Sequence, residues 1–237
     1  MHAHTLEKQL LEIGTPERAQ ASAWVFKTSP GDYGHGDQFY GVSVPDQRKI
    51  IRGFRELPFS EIEKLLASNY HEARLCACLI LVEQYKRGNA EQKQAVYDFY
   101  MAHTQQINNW DLVDSSASYI VGAHLGDNAL PVLTKLAVSG DLWERRIAML
   151  SCFYNIYQGK AEPALSIATI LSDDPHDLIQ KAVGWMLREV GKRVGQEVEE
   201  AWLRDGSRYK TMPRTMLRYA IERFNPELRQ KYLKGLV

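Results

Sequence analysis

Two tryptophans, one aspartate and a set of cations in this chain are spaced so that they could do chemistry together. Aligned on their first turns, five successive helical segments place Arg74, Asp114, Arg146, Lys181 and Arg214 in one column, four cations and a single carboxylate. Early helical positions on neighbouring repeats face the same edge, beside positive helix N-termini, so the column predicts a ladder of cations tracking a polyanion. By itself the column fits a second use equally well: Asp–Arg cross-links between adjacent repeats. The indoles shift the balance towards the first. Trp110 lies one turn before Asp114, and Trp185 lies one turn after Lys181, with Arg188 and Lys192 continuing that stripe. An indole on a cationic face has no obvious core partner, although amphipathic indoles also fill repeat junctions.

Two indole faces and a carboxylate suit a planar cation next to a centre that becomes positive. A purine alkylated at a ring nitrogen is such a group: it carries formal positive charge, its bond to deoxyribose is weakened, and it leaves as a neutral molecule. The sugar left behind resembles an oxocarbenium ion. An ionised Asp114 stabilises that charge more in the transition state than in the ground state, and can orient or deprotonate the attacking water. The leaving group is already activated, so no general acid is required. Arg146 is expected to keep Asp114 ionised while gripping a backbone phosphate. Lys181, Arg188, Lys192 and Arg214 are expected to hold further phosphates, although Arg214 and Arg218 could equally pair with Glu222 or Glu227. Lys181 also stands where an amine nucleophile would, but a phosphate contact is the preferred reading.

The elements that must position these residues read as helices. Apolar residues recur at helical spacing, as in Leu178, Ile179, Ala182, Val183, Met186, Leu187 and Val190, and strand-like alternation is almost absent. Breaks fall at Pro58, Gly88-Asn89, Gly126-Asp127, Gly140-Asp141, Gly159, Asp173-Asp174-Pro175, Gly206-Ser207 and Asn225-Pro226. Segments beginning at His71, Asn109, Asp141, His176 and Met212 each look like the second helix of a pair, about 32 to 40 residues apart, as in HEAT-type repeats. The expected fold is all-α: a right-handed solenoid of HEAT-like two-helix repeats with a concave DNA-binding surface, forming a single domain over 1–237 with a helical cap to about residue 57 and repeats from about 58. The glycine-rich segment at 29–45 resembles a dinucleotide fingerprint only superficially, because no strand precedes it; a packed surface loop leading into a helix at Pro45 is expected.

Composition narrows the function classes. Net charge is zero, which excludes coating nucleic acid by bulk charge and leaves a localised basic surface. Three cysteines, Cys76, Cys78 and Cys152, sit in apolar helical runs as reduced core thiols do, and the seven histidines never fall into a zinc-ligand spacing. No metal and no cofactor is expected. With no apolar run long enough to span a membrane and no signal-peptide layout at MHAHTLEKQLLE, the expectation is a cytoplasmic protein, acting as a monomer.

Three stretches carry a resemblance: NNWDLVD from Asn108 to Asp114, WERRIA from Trp143 to Ala148, and IQKAVGWMLREVGK from Ile179 to Lys192. In that order and spacing the sequence resembles the AlkD-type DNA glycosylases, HEAT-like DNA alkylation repair enzymes, over nearly its whole length. The resemblance implies that Trp110 and Trp185 contact the nucleobase, that Asp114 is catalytic and that Arg146 is an active-site arginine. It also implies release of cationic 3-methyladenine and 7-methylguanine from double-stranded DNA, without a base-flipping pocket. The GDYGHGDQFYG loop and the MPRTMLRYAIERF helix depart from the pattern. Two other readings compete, a non-catalytic HEAT-like module that binds DNA or branched junctions and a protein-binding scaffold, since the fold supports all three. Only the glycosylase uses the carboxylate and the indoles together.

Overall fold

The structure, a computed structural model, describes residues 1–237, and the chain forms two compact units, Met1–Ile120 and Val121–Val237. The first holds α1 (Ala3–Ile13), α2 (Pro16–Val25), α3 (Val44–Ile50), α4 (Phe59–Leu66), α5 (His71–Arg87), α6 (Ala90–Ala102) and α7 (Trp110–Asp114). After a π-helical turn at Ser118–Gly122 the second holds α8 (Ala123–Leu125), α9 (Leu130–Ala137), α10 (Leu142–Ser151), α11 (Phe153–Tyr157) and α12 (Glu162–Ile170). It continues through α13 (Asp177–Arg193), α14 (Gln196–Arg204), α15 (Arg208–Thr211), α16 (Arg214–Ala220) and α17 (Pro226–Lys234). The all-α class expected from the sequence is the class observed: extended pairing is limited to one isolated bridge between Gln38 and Tyr70. No helix is long and apolar enough to cross a membrane.

Helices begin where polar residues can satisfy their first backbone N–H groups. Asn89 forms a reciprocal capping box with Gln92, Asp141 accepts from the amides of Trp143 and Glu144, and Asn225 accepts from that of Leu228. His176 caps α13 by accepting at Nδ1 from the Leu178 amide. Asn89, Asp141 and Asn225 lie at breaks read from the sequence, and His176 directly follows the one at Asp173-Asp174-Pro175.

Each unit is built around one 17-residue helix. In the second unit this is α13, which packs on α10, α12, α14 and α16. All seven residues of its apolar stripe, Leu178 to Val190, are buried; burying such side chains contributes about 1.5–3 kcal/mol each before entropy is counted. Gly184 lets α16 come close, since a Cβ there would stand 2.4 Å from the Met216 carbonyl oxygen. In the first unit α5 packs on α1, α3, α4, α6 and α7 and is buried on every side from His71 to Val82, as its unbroken LCACLILV run requires. Cys76, Cys78 and Cys152 are buried free thiols, and burial pushes the Cys78 thiol up to about 12, which keeps it protonated and unreactive.

The segment from Asn109 does not run on as one helix. Ser115 Oγ donates to the Asp111 carbonyl (2.6 Å) and Ser116 Oγ to the Leu112 carbonyl (2.5 Å), so hydroxyls compete with the helical ladder. The α7 helix ends at Asp114 and the chain loosens into the π-helical turn. The segment from Met212 is likewise a shorter helix than its apolar pattern suggests: Met212 ends α15, α16 starts at Arg214 after Pro213, and it gives way to a 3-10 turn at Ile221–Arg223.

Candidate active site

In the first unit Asn109, fully buried, caps α7 by accepting from the Trp110 amide at 2.8 Å, and this fixes where the helix starts. Trp110 and Asp114 follow one turn apart. Both are half-buried, and both line an open pocket of about 240 Å³ with Val44, Leu75, Leu79, Asp111 and Ser115. Val44 of α3 and Leu75 and Leu79 of α5 give the pocket an apolar wall opposite α7, so a flat ring entering it would meet hydrocarbon, an indole and a carboxylate.

Phe26 does not line this pocket; it stacks on the Trp110 ring with centroids 5.1 Å apart and planes 17° off parallel. Phe26 in turn touches Phe39 (5.4 Å) and the imidazole of His71 (4.3 Å). The glycine-rich segment is therefore packed onto the site. Glu72, buried, accepts from the amides of Tyr40 (3.0 Å), Gly41 (2.8 Å) and Val42 (3.2 Å). Gly41 is required there: its φ is +82°, and a Cβ would lie 2.2 Å from the Thr15 carbonyl oxygen.

His71, also buried, has Nε2 2.8 Å from Asp111 Oδ2 and Nδ1 3.3 Å from Asp37 Oδ2. Arg74 Nη2 lies 2.7 Å from Asp37 Oδ1, and Asn109 Nδ2 donates to Asp37 Oδ2 at 3.3 Å. Burial opposes the charged form of each partner, but the hydrogen bonds outweigh it: His71 is raised above the ordinary histidine value by Asp111 and Asp37, and Asp37 is lowered by His71 and Arg74. The two carboxylates address different ring nitrogens, so their oxygens do not converge as metal ligands would. Arg74 was expected in the phosphate-tracking column. Its side chain is 5% exposed and committed to Asp37 and to the Ser68 carbonyl, because a charge carried into the core by α5 must find its partner there.

In the second unit Lys181 and Trp185 stand on consecutive turns of α13, both half-buried. Lys181 donates to Asp177 at 2.8 Å. Trp185 faces Phe153, with ring centroids 6.2 Å apart. Arg146 on α10 is buried and donates to the Leu178 carbonyl in the first turn of α13 at 2.6 Å. The ion pair with Asp174 belongs to its neighbour Arg145. Arg188 pairs closely with Glu222, and Lys192 is exposed and makes no ion pair. Arg214 donates to the Leu233 carbonyl at 2.8 Å, while Glu227 pairs with Lys231, so neither acid weighed as a partner for Arg214 takes it. Sequence reasoning passed over Arg193, whose guanidinium lies over Phe153 (5.3 Å) and Tyr157 (4.7 Å) and is steadied by Glu189. It also passed over Phe26, Asp37 and His71. The signal for these was the polar HEAR stretch opening an otherwise apolar helix, since buried charges demand partners from elsewhere in the chain.

Comparison with known proteins gives a family. The family model described as DNA alkylation repair enzyme matches residues 6–224. A solved structure from Enterococcus faecalis, described as a predicted DNA alkylation repair enzyme, has a TM-score of 0.67 at 17% sequence identity, over 90% of this chain and 97% of that one. At that identity the likeness concerns the helical-repeat fold. No curated protein matches. With the family model spanning nearly its whole length, this chain belongs to the DNA alkylation repair enzyme family.

Proposed function

We propose that the protein is a monofunctional DNA glycosylase that hydrolyses the bond between deoxyribose and a cationic alkylated purine, of the 3-methyladenine or 7-methylguanine type, in double-stranded DNA. Membership of the repair family supports the substrate class. The observation that carries the reaction is that Trp110 and Asp114 border one open pocket. A scaffold has no use for a carboxylate beside an indole in an accessible hollow, and a module that only grips DNA loses affinity by turning a carboxylate towards phosphates.

In this reading the Trp110 indole attracts the positively charged base and releases it once it is neutral, and Trp185 is a second nucleobase-contacting indole. Asp114 opposes the charge that develops on the sugar and orients the water that attacks it. The products are a free base and an abasic site. Arg146, with Nη1 fixed on the first turn of α13, acts as a positioned active-site cation. Lys192 meets a backbone phosphate directly, whereas Lys181, Arg188 and Arg214 exchange their contacts with Asp177, Glu222 and the Leu233 carbonyl for phosphate. Exposed ion pairs contribute about 0–1 kcal/mol, so such exchanges cost little. The protein acts as a monomer in the cytoplasm.

The test is to incubate purified protein with methylated duplex DNA and measure freed base by chromatography. Release of 3-methyladenine or 7-methylguanine is expected from the wild type and not from Asp114→Asn; no release by the wild type rejects the reading.

A further inference from the structure

The glycine-rich segment is fastened to α7 by one side chain. His71 has a carboxylate at each ring nitrogen: Asp111, from α7, at Nε2 (2.8 Å) and Asp37, from the loop, at Nδ1 (3.3 Å). A neutral imidazole has one N–H and one lone pair, and that lone pair would face an anionic oxygen. Only the imidazolium donates in both directions. Charge counting gives the same answer. Of the groups around the ring, Arg74 is positive and Asp37 and Asp111 are negative, so the cluster is neutral only when His71 carries its proton. The adjacent carboxylate Glu72 is taken up by three loop amides.

The same ring lies against Phe26 and Phe39, at 4.3 and 5.1 Å, and Phe26 lies against Trp110 at 5.1 Å. One side chain thus touches the loop, the helix carrying Asp114, and the ring that covers Trp110. We propose that His71 is a positioning residue: as an imidazolium clasp between Asp37 and Asp111 it sets Phe26 against Trp110, so that the indole is held in one orientation beside Asp114 for the base to meet. The role deepens the proposed glycosylase reading and rests on it for its effect on turnover; the clasp itself is read independently of catalysis.

The sign of the pH dependence follows. A histidine raised on folding contributes stability that is fully present below its ordinary value and is lost as pH rises through its value in the protein. While Asp37 and Asp111 are ionised, the clasp is closed below the ordinary histidine value and opens as pH rises through the raised value.

The first measurement is nitrogen-15 NMR of the wild-type ring, with the Trp110 indole N–H assigned by substitution. Both His71 nitrogens are expected to be protonated at pH 7, and the Trp110 resonance is expected to move with the same midpoint as the His71 titration. Asp111→Asn keeps the shape and removes one charge, so both midpoints should shift together to lower pH. His71→Gln should lower kcat for base release about 10- to 100-fold, with affinity for undamaged duplex within about twofold, because misplacement of a positioned group acts on the chemical step. If His71→Gln does not fold, the Asp111→Asn titration decides the matter. A neutral His71 ring at pH 7, or a Trp110 resonance that ignores the His71 titration, overturns the proposal. Because the NMR arm needs no substrate, a wild type that releases no base refutes the glycosylase reading while the clasp is still judged on its own data.

Discussion

Arg74 and Lys181 occupy matching early positions on the two central helices, α5 and α13, yet they have different fates. Arg74 is interred with Asp37, whereas Lys181 keeps more than a third of its side chain exposed and is held by Asp177 of its own helix. The difference comes from the rest of each helix. The α5 helix is buried on every side from His71 to Val82, so whatever its first turn carries goes inside and has to be neutralised there. The α13 helix keeps a polar stripe, and its cations stay at the rim, where their bonds are exchangeable. One helix uses charge to fix geometry; the other keeps it available for a ligand.

The strongest test of that division lies beside the buried cluster. Asp111 and Asp114 of α7 both line the open pocket with Trp110, but the Asp111 carboxylate is bonded to His71, which leaves Asp114 as the acid proposed to act on the substrate. Asp114→Asn is expected to cut base release by about 10²–10³-fold, the range for removing a preorganised electrostatic partner of the transition state. Its affinity for duplex DNA, measured by anisotropy, should hold or rise because a negative charge has gone. A variant with undiminished turnover would return Asp114 to the structural role that the column alone allowed.

Next in size is Arg74→Ala. Removing the cation leaves Asp37 with only His71 and the Asn109 amide, and strips the bond to the Ser68 carbonyl. Breaking a buried pair from one side costs about 3–5 kcal/mol, which urea denaturation would register as an earlier midpoint. A loss under about 1 kcal/mol would mean that the pair is solvated and that the contrast with Lys181 is false.

How much of this was legible follows the same division. The stripe from Leu178 to Val190, the caps at Asn89, Asp141 and Asn225 and the helical-repeat class could be read because they depend on residues close in sequence. The fastening of the loop could not: Asp37 reaches Asn109 across 72 positions and His71 reaches Asp111 across 40. Periodicity carries no record of such pairings. Arg74 was misread for that reason, as a cation whose counter-ion was invisible. The early end of α7 was hidden for another, since it depends on serine hydroxyls after Asp114 bonding backbone carbonyls in competition with the helix.

Among the charge-bearing groups that the second unit buries, one carboxyl departs from the pattern of paired charges and sharpens the comparison. Glu199 on α14 is 2% exposed and packs against Gly191 of α13, and burial pushes its carboxyl up to about 9. A carboxyl raised on folding contributes stability that is fully present below its ordinary value of about 4.5 and is lost progressively as pH rises to about 9. Glu199→Gln keeps the neutral shape and removes that dependence. It should raise stability at pH 8 by about 1–3 kcal/mol while changing little at pH 4, as measured by denaturant midpoints at the two pH values. Equal effects at both would show that the carboxyl is ionised in the folded protein.

The smallest effect belongs to Lys192, and it separates a ligand-facing cation from a structural one. Lys192 is exposed and makes no ion pair, so Lys192→Ala should leave the melting temperature almost unmoved, within about 0.5 kcal/mol in stability. If the side chain meets a phosphate, the variant loses one counterion release: the slope of log affinity against log salt falls by about one, and binding weakens uniformly across DNA sequences. Arg188 gives the internal control. Its pairing with Glu222 must be given up for phosphate, so removing Arg188 also leaves an exposed acid behind, and its loss should weaken binding more than the missing contact alone accounts for. A salt slope unchanged in Lys192→Ala, with binding intact, would remove the far end of α13 from the DNA contact and confine the rim of cations to the turns around Trp185.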